Sequence, residues 1–123
     1  MAKILIADDR QLMRSALKMA FAMRPKWEIC GEATDGREAV TKVSELQPDL
    51  IIMDFKMPLA DGIQAAREIS ATAPSIPIVM YTLYRNDELD AAAKQAGVRA
   101  VVSKQDGLIN LLEAIDEELP YAK

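Results

Sequence analysis

Three carboxylates stand directly after apolar runs in this sequence. Asp8 and Asp9 follow Ile4-Leu5-Ile6-Ala7, and Asp54 follows Leu50-Ile51-Ile52-Met53. Thr82 closes the run Ile78-Val79-Met80-Tyr81, and Ser103 and Lys104 follow Ala100-Val101-Val102. Carboxylates brought close together repel, and they all stay ionised only beside a cation. Oxygen donors with positions open to water suit magnesium, which keeps several waters and pairs with phosphate. The Lys104 ammonium and the Thr82 hydroxyl, placed around one carboxylate, would stabilise a phosphoryl group carried on it. A carboxylate can act as the nucleophile in such a transfer, forming an acyl phosphate. Each residue also has a plainer reading. Asp9 precedes a helical pattern and could simply cap it. Lys104 alone reads as a solvated surface lysine, and Thr82 alone as a good strand residue. Asp54 resists such a reading most, because a charge at the end of the most apolar run is costly to keep.

These side chains meet only if the apolar runs are neighbouring strands. The punctuation between the runs is helical. From Arg10 to Met23, apolar residues recur at Leu12, Met13, Ala16, Leu17, Ala20 and Phe21, which is helical spacing, and Pro25 ends it. A second strand is expected over Trp27–Gly31. Asp35 then reads as a helix cap, with Glu38 at the capping-box position and Pro48 beyond the helix. Pro58 and Asp61-Gly62 mark a loop before a helix with Ile63, Ala66 and Ile69 on one face. A fourth helix is expected from Asn86 to Ala96, stopped by Gly97. The last is expected from Asp106 to Leu119, with Leu108, Leu111, Leu112 and Ile115 on one stripe. Five strand–helix units in strict alternation predict an α/β fold, a doubly wound five-stranded parallel sheet covered on both faces. In such sheets ligands bind beyond the carboxyl ends of the strands, where Asp8, Asp9, Asp54, Thr82 and Lys104 fall.

Composition narrows the chemistry. The chain has 123 residues, the size of one domain. It contains no histidine and one cysteine, Cys30, which excludes Ser-His-Asp and Cys-His catalysis, His-ligated zinc and an internal disulfide. Fifteen basic against nineteen acidic residues give a net charge of −4, without the footprint for gripping nucleic acid directly. No apolar run approaches the ~18 residues that suggest a membrane span, and the start lacks a signal-peptide pattern. A cytoplasmic location is expected. Met13, Met19, Met23, Met53, Met57 and Met80 are expected as adaptable core fillers, and Cys30 and Trp27 as packing residues. Ala91, Ala92, Ala93 and Ala96 give the fourth helix a small surface that suits either a partner or the core.

The runs Ile4-Leu5-Ile6-Ala7-Asp8-Asp9 and Met53-Asp54-Phe55-Lys56-Met57-Pro58, with Asp61-Gly62, Thr82 and Ser103-Lys104, resemble the receiver domain of two-component response regulators. The stretch from Gly31 to Ala39 resembles the NarL/FixJ type. The resemblance spans essentially the whole chain. It implies a flavodoxin-like (βα)5 fold with strand order 2-1-3-4-5. It implies Asp54 as phosphoacceptor, taking phosphate from a phosphohistidine on a sensor histidine kinase. It implies Mg2+ held by Asp9, Asp54 and the backbone carbonyl of Lys56, with Asp8 acting largely through water. Thr82 and Lys104 would contact the phosphoryl group. Lys56 and Tyr84 occupy the positions that influence phosphate lifetime, and their chemistry implies slow self-dephosphorylation. Two positions depart from the pattern: Val101 stands where many relatives carry an aromatic, and Gln105 where many carry proline.

The implied function is a phosphorylation switch in transcription, not an enzyme. Residues 1–123 would be a receiver cut from a longer regulator whose C-terminal domain binds DNA, and phosphorylation would promote a homodimer. The alternative is a stand-alone receiver serving as a phosphorelay or interaction switch. A haloacid-dehalogenase-like phosphatase fits poorly, because Lys56 stands where those enzymes need a second acid.

Overall fold

The computed structural model describes residues 1–120; Lys123, the far limit of the expected domain, lies outside the described residues. The elements run β1 Ala2–Ala7, α1 Gln11–Ala22, β2 Trp27–Ala33, α2 Gly36–Leu46, β3 Leu50–Met53, α3 Gly62–Thr72, β4 Ile78–Thr82, α4 Asp87–Gln95, β5 Ala100–Ser103 and α5 Leu108–Glu118. All strand pairs are parallel, in the order β2-β1-β3-β4-β5. This is the doubly wound arrangement expected from the sequence. The order reverses at β1, so the chain winds one way to β2 and the other way to β3, β4 and β5.

The central strands are apolar along their whole length because helices cover both faces. Ile4, Leu5, Leu50, Ile51, Ile78 and Met80 are fully buried. Side chains alternate across the sheet, so each strand feeds two cores. Leu5, Ile51, Met53, Ile78 and Met80 pack on the side of α2, α3 and α4. Ile4, Ile6, Leu50, Ile52 and Tyr81 pack on the side of α1 and α5.

Helix starts follow side-chain chemistry. Asp35 accepts from the Glu38 amide at 2.7 Å and Asn86 from the Leu89 amide at 2.7 Å. Asp61 and Gln64 form a reciprocal capping box. At α2 the expected box is shifted by one residue: Glu38 Oε1 accepts from the Thr34 amide at 2.6 Å rather than from Asp35.

Several expectations need correction. The last helix begins at Leu108, not Asp106: Lys104–Asp106 form a single 3-10 turn, and Gly107 follows at φ 84°, which interrupts the helix. Met19 and Met23 are 74% and 82% exposed, and Leu12 is 86% exposed. The inner side of α1 is filled by Leu17 and Phe21, which leaves these residues on a second, outward apolar stripe. Strand β2 runs two residues further than expected, to Ala33. Its register against β1 slips after Ile4, so that Ile29 and Gly31 are paired and Cys30 is the extra residue. Cys30 is half-buried rather than buried, and burial pushes its thiol pKa up. On α4, Ala93 and Ala96 belong to the core, Ala92 packs against it, and Ala91 is exposed.

Candidate functional site

The parallel sheet brings the polar residues at its carboxyl edge together. β1 and β3 are hydrogen-bonded neighbours in register, with Ala7 opposite Met53, so Asp8 and Asp54 leave the sheet side by side. The Asp54 amide donates to the Ala7 carbonyl at 2.9 Å, which fixes that relation through the main chain. Asp8, Asp9 and Asp54 each offer a carboxylate oxygen within 4.8 Å of the others.

Lys104 closes the cluster. Its ammonium donates to Asp8 Oδ2 at 2.8 Å and to Asp54 Oδ2 at 3.1 Å, and its side chain is only 4% exposed. The 3-10 turn directly after β5 directs this lysine inward. Asp8 also accepts from the Arg10 amide at 2.9 Å, and the Phe55 amide donates to Asp54 Oδ1 at 2.7 Å. Asp8 and Asp54 are buried while Asp9 is exposed. The cluster therefore has two fixed inner carboxylates and one outer carboxylate facing solvent.

The electrostatics follow from burial. Desolvation pushes the Asp54 carboxyl above the usual carboxylate range; the Lys104 charge opposes this, and the Asp8 charge adds to it. Burial works most strongly against the Lys104 charge. Its bonds to Asp8 and Asp54 and their charges together outweigh burial, and its pKa ends raised.

The outer side of the cluster opens into a cavity of about 160 Å3 lined by Asp9, Arg10, Asp54, Lys56, Leu83, Tyr84 and Lys104. Thr82 is fully buried at the end of β4, and its hydroxyl accepts from the Tyr84 amide at 3.2 Å. The Lys56 ammonium lies over the Tyr84 ring, 5.2 Å from its centroid. Val101 is half-buried on β5. Asp8, Asp9, Asp54, Lys56, Thr82, Tyr84 and Lys104 thus lie together at this edge, whereas Val101 lines a separate groove with Val98 and Arg99.

The donor set is all oxygen, with no nitrogen or sulfur ligand, and one carboxylate faces water. That fits a hard divalent cation retaining part of its water shell, and magnesium in particular.

Residues 4–116 match the response regulator receiver domain. The chain belongs to that family. This receiver is 42% identical over 115 residues to the transcriptional regulatory protein PdtaR of Mycobacterium tuberculosis, covering 93% of this chain and 55% of that protein. It is 30% identical over 115 residues to the transcriptional regulatory protein LnrK of Bacillus subtilis, covering 94% and 52%. The receiver spans about half the length of the curated relatives it matches. Among solved structures it is similar to a LuxR-family two-component response regulator from Aurantimonas, with a TM-score of 0.92 and 28% identity over 99% of this chain and 87% of that one. It is similar also to the response regulator domain of CheB from Thermotoga maritima, with a TM-score of 0.90 and 29% identity over 97% and 96%. Among the described residues no helix is long and apolar enough to cross a membrane.

Two features of the site were not visible in the sequence. One is Arg14, whose guanidinium bonds the Asp8 main-chain oxygen at 2.9 Å. The other is the tight seat of α3 against the end of β3. A Cβ on Gly62 would lie 2.2 Å from the Asp54 carbonyl oxygen, so only glycine fits there. In the sequence the Asp61-Gly62 pair marks a loop, and its spacing from Asp54 is the one signal of this close approach.

Proposed function

We propose that this receiver accepts a phosphoryl group on Asp54 from a phosphohistidine of a sensor histidine kinase and thereby controls a transcriptional output. The observation that carries the reading is the Lys104 ammonium bridging Asp54 and Asp8 at 3.1 and 2.8 Å, with Asp9 open to the cavity. These 123 residues contain no histidine, so the donor imidazole lies outside them. In the transfer an Asp54 carboxylate oxygen forms a bond to phosphorus, and the phosphorus–nitrogen bond to the donor imidazole breaks, its electron pair returning to the ring.

Lys104 stands on the inner side of Asp54 and neutralises charge that develops on the transferred group. Thr82 offers a hydroxyl at the end of the neighbouring strand. Asp9, Asp54 and the Lys56 carbonyl would hold Mg2+, with Asp8 behind them; the bound cation supplies positive charge against the phosphoryl oxygens. Asp8 already carries two hydrogen bonds, which suits a ligand acting through water. The Lys56–Tyr84 contact narrows the approach of water to Asp54, and Lys56 while protonated cannot act as a base. This supports slow self-dephosphorylation. A half-life of seconds for the phosphorylated protein overturns that part.

Relatives named as transcriptional regulators, about twice as long, support control of transcription through a DNA-binding output domain outside these residues. The proposal extends to a cytoplasmic protein whose receivers pair on phosphorylation. The test of the site is intact mass after incubation with magnesium and acetyl phosphate, with EDTA as control. One phosphoryl group is gained by the native protein and none by Asp54→Asn. Equal labelling of both overturns Asp54 as acceptor, and no labelling from either acetyl phosphate or a phosphorylated kinase overturns the function.

A further inference from the structure

Arg14 is the charged residue of α1 most shielded from solvent, with a side chain 13% exposed against 46% for Lys18. Its guanidinium bonds two elements at once. Nε donates to Glu32 Oε1 on β2 at 2.9 Å, and Nη1 donates to the main-chain oxygen of Asp8 at 2.9 Å. Glu32 is itself tied down. Its other carboxylate oxygen accepts from Lys18 at 3.0 Å, and its main-chain oxygen accepts from Lys42 of α2. A planar guanidinium held by a fixed carboxylate has little freedom left, so its second donor fixes whatever accepts it.

What it fixes is the turn between β1 and α1. The carboxylates of Asp8 and Asp54 are each held by direct hydrogen bonds. The Asp9 carboxylate makes no side-chain hydrogen bond among the described residues and is exposed. Its position therefore depends on the main chain of the turn, and Arg14 grips that chain at the preceding carbonyl.

We propose that Arg14, anchored by Glu32, is a positioning residue that holds the Asp8–Asp9 peptide so that Asp9 completes the cation site. The assignment rests on the reading of the acidic cluster as a magnesium site. Arg14 touches neither the cation nor the phosphoryl group, and it acts through the peptide it holds.

The test is calorimetric titration of magnesium, without phosphodonor, into the native protein and the Arg14→Met, Arg14→Lys, Glu32→Gln and Arg99→Met variants. Melting temperature is measured for each in EDTA. Arg99→Met is the control: it removes a surface ion pair with Glu118 at the amino-terminal edge of the sheet, opposite the edge that carries the site. Arg14→Met is expected to weaken magnesium binding about tenfold, the usual scale for groups that orient metal ligands. Arg14→Lys keeps the charge, but one nitrogen replaces two donors set apart on a plane, so binding stays weakened while stability largely returns. Glu32→Gln weakens binding in the same direction by less. If Arg14→Met does not fold, Arg14→Lys and Glu32→Gln carry the test. Magnesium affinity equal to native in the folded Arg14 and Glu32 variants overturns the assignment, as does a loss no greater than that of Arg99→Met. A native protein that binds no magnesium overturns the metal reading itself, an outcome visible without any variant.

Discussion

The two faces of the sheet are packed with different materials. Under α2, α3 and α4, seven of eighteen buried residues are alanine and three are methionine, and none is aromatic. Under α1 and α5, fifteen buried residues include one alanine, no methionine and three aromatic rings. Phe21 and Trp27 meet there edge to face, with centroids 5.5 Å apart. Alanine lets a helix lie close to the strands, and methionine fills uneven gaps with little rotamer preference. Branched aliphatic and aromatic side chains interlock and leave few alternative packings. One face is thus a stiff bed for the sheet, and the other can be rearranged at lower cost. Met53 and Met80, next to the site on β3 and β4, belong to the adaptable face.

The largest expected effect tests the stiff face. Leu111 is fully buried on α5, and Leu111→Ala should cost about 3 kcal/mol in denaturant unfolding. A loss below that of a methionine substitution on the opposite face would break the contrast. Next comes a rigid point of the adaptable face. Helix propensity alone favours alanine over glycine by about 1 kcal/mol. At Gly62, however, the added carbon would meet the Asp54 carbonyl oxygen at 2.2 Å. Gly62→Ala should therefore lose about 1–2 kcal/mol net. It should also slow phosphorylation by acetyl phosphate, measured by mass, because Asp54 must shift with its carbonyl. The smallest effect sharpens the comparison. Met53→Leu conserves volume on the adaptable face and should cost less than about 1.5 kcal/mol by the same unfolding measurement.

Much of this was legible in the sequence because two signals agree. Buried parallel strands show as unbroken apolar runs, and the site residues stand immediately after them, so Asp8, Asp9, Asp54, Thr82 and Lys104 could be found by position alone. Other features escaped for physical reasons. Hydropathy does not say which of two apolar stripes on a helix faces inward, so it does not separate the exposed Leu12, Met19 and Met23 from the buried Leu17 and Phe21. The start of α5 moved because Lys104 must turn into the site before the helix can begin, and Gly107 absorbs the change of direction. The bulge at Cys30 is a matter of register between distant strands. Arg14 looked like any helix arginine, since its partners lie six residues back and eighteen ahead.

The strand order also has a meaning in time. Beyond β3, each new strand adds to the same edge of the sheet, β4 first and β5 last. All three carboxylates of the cluster are present once residue 54 has been synthesised, whereas their lysine lies fifty residues further along the chain than Asp54. A nascent chain that has formed only β2, β1 and β3 therefore presents the acidic cluster without its built-in ammonium. Until Lys104 arrives, the counter-charge for those carboxylates has to come from the surrounding solution.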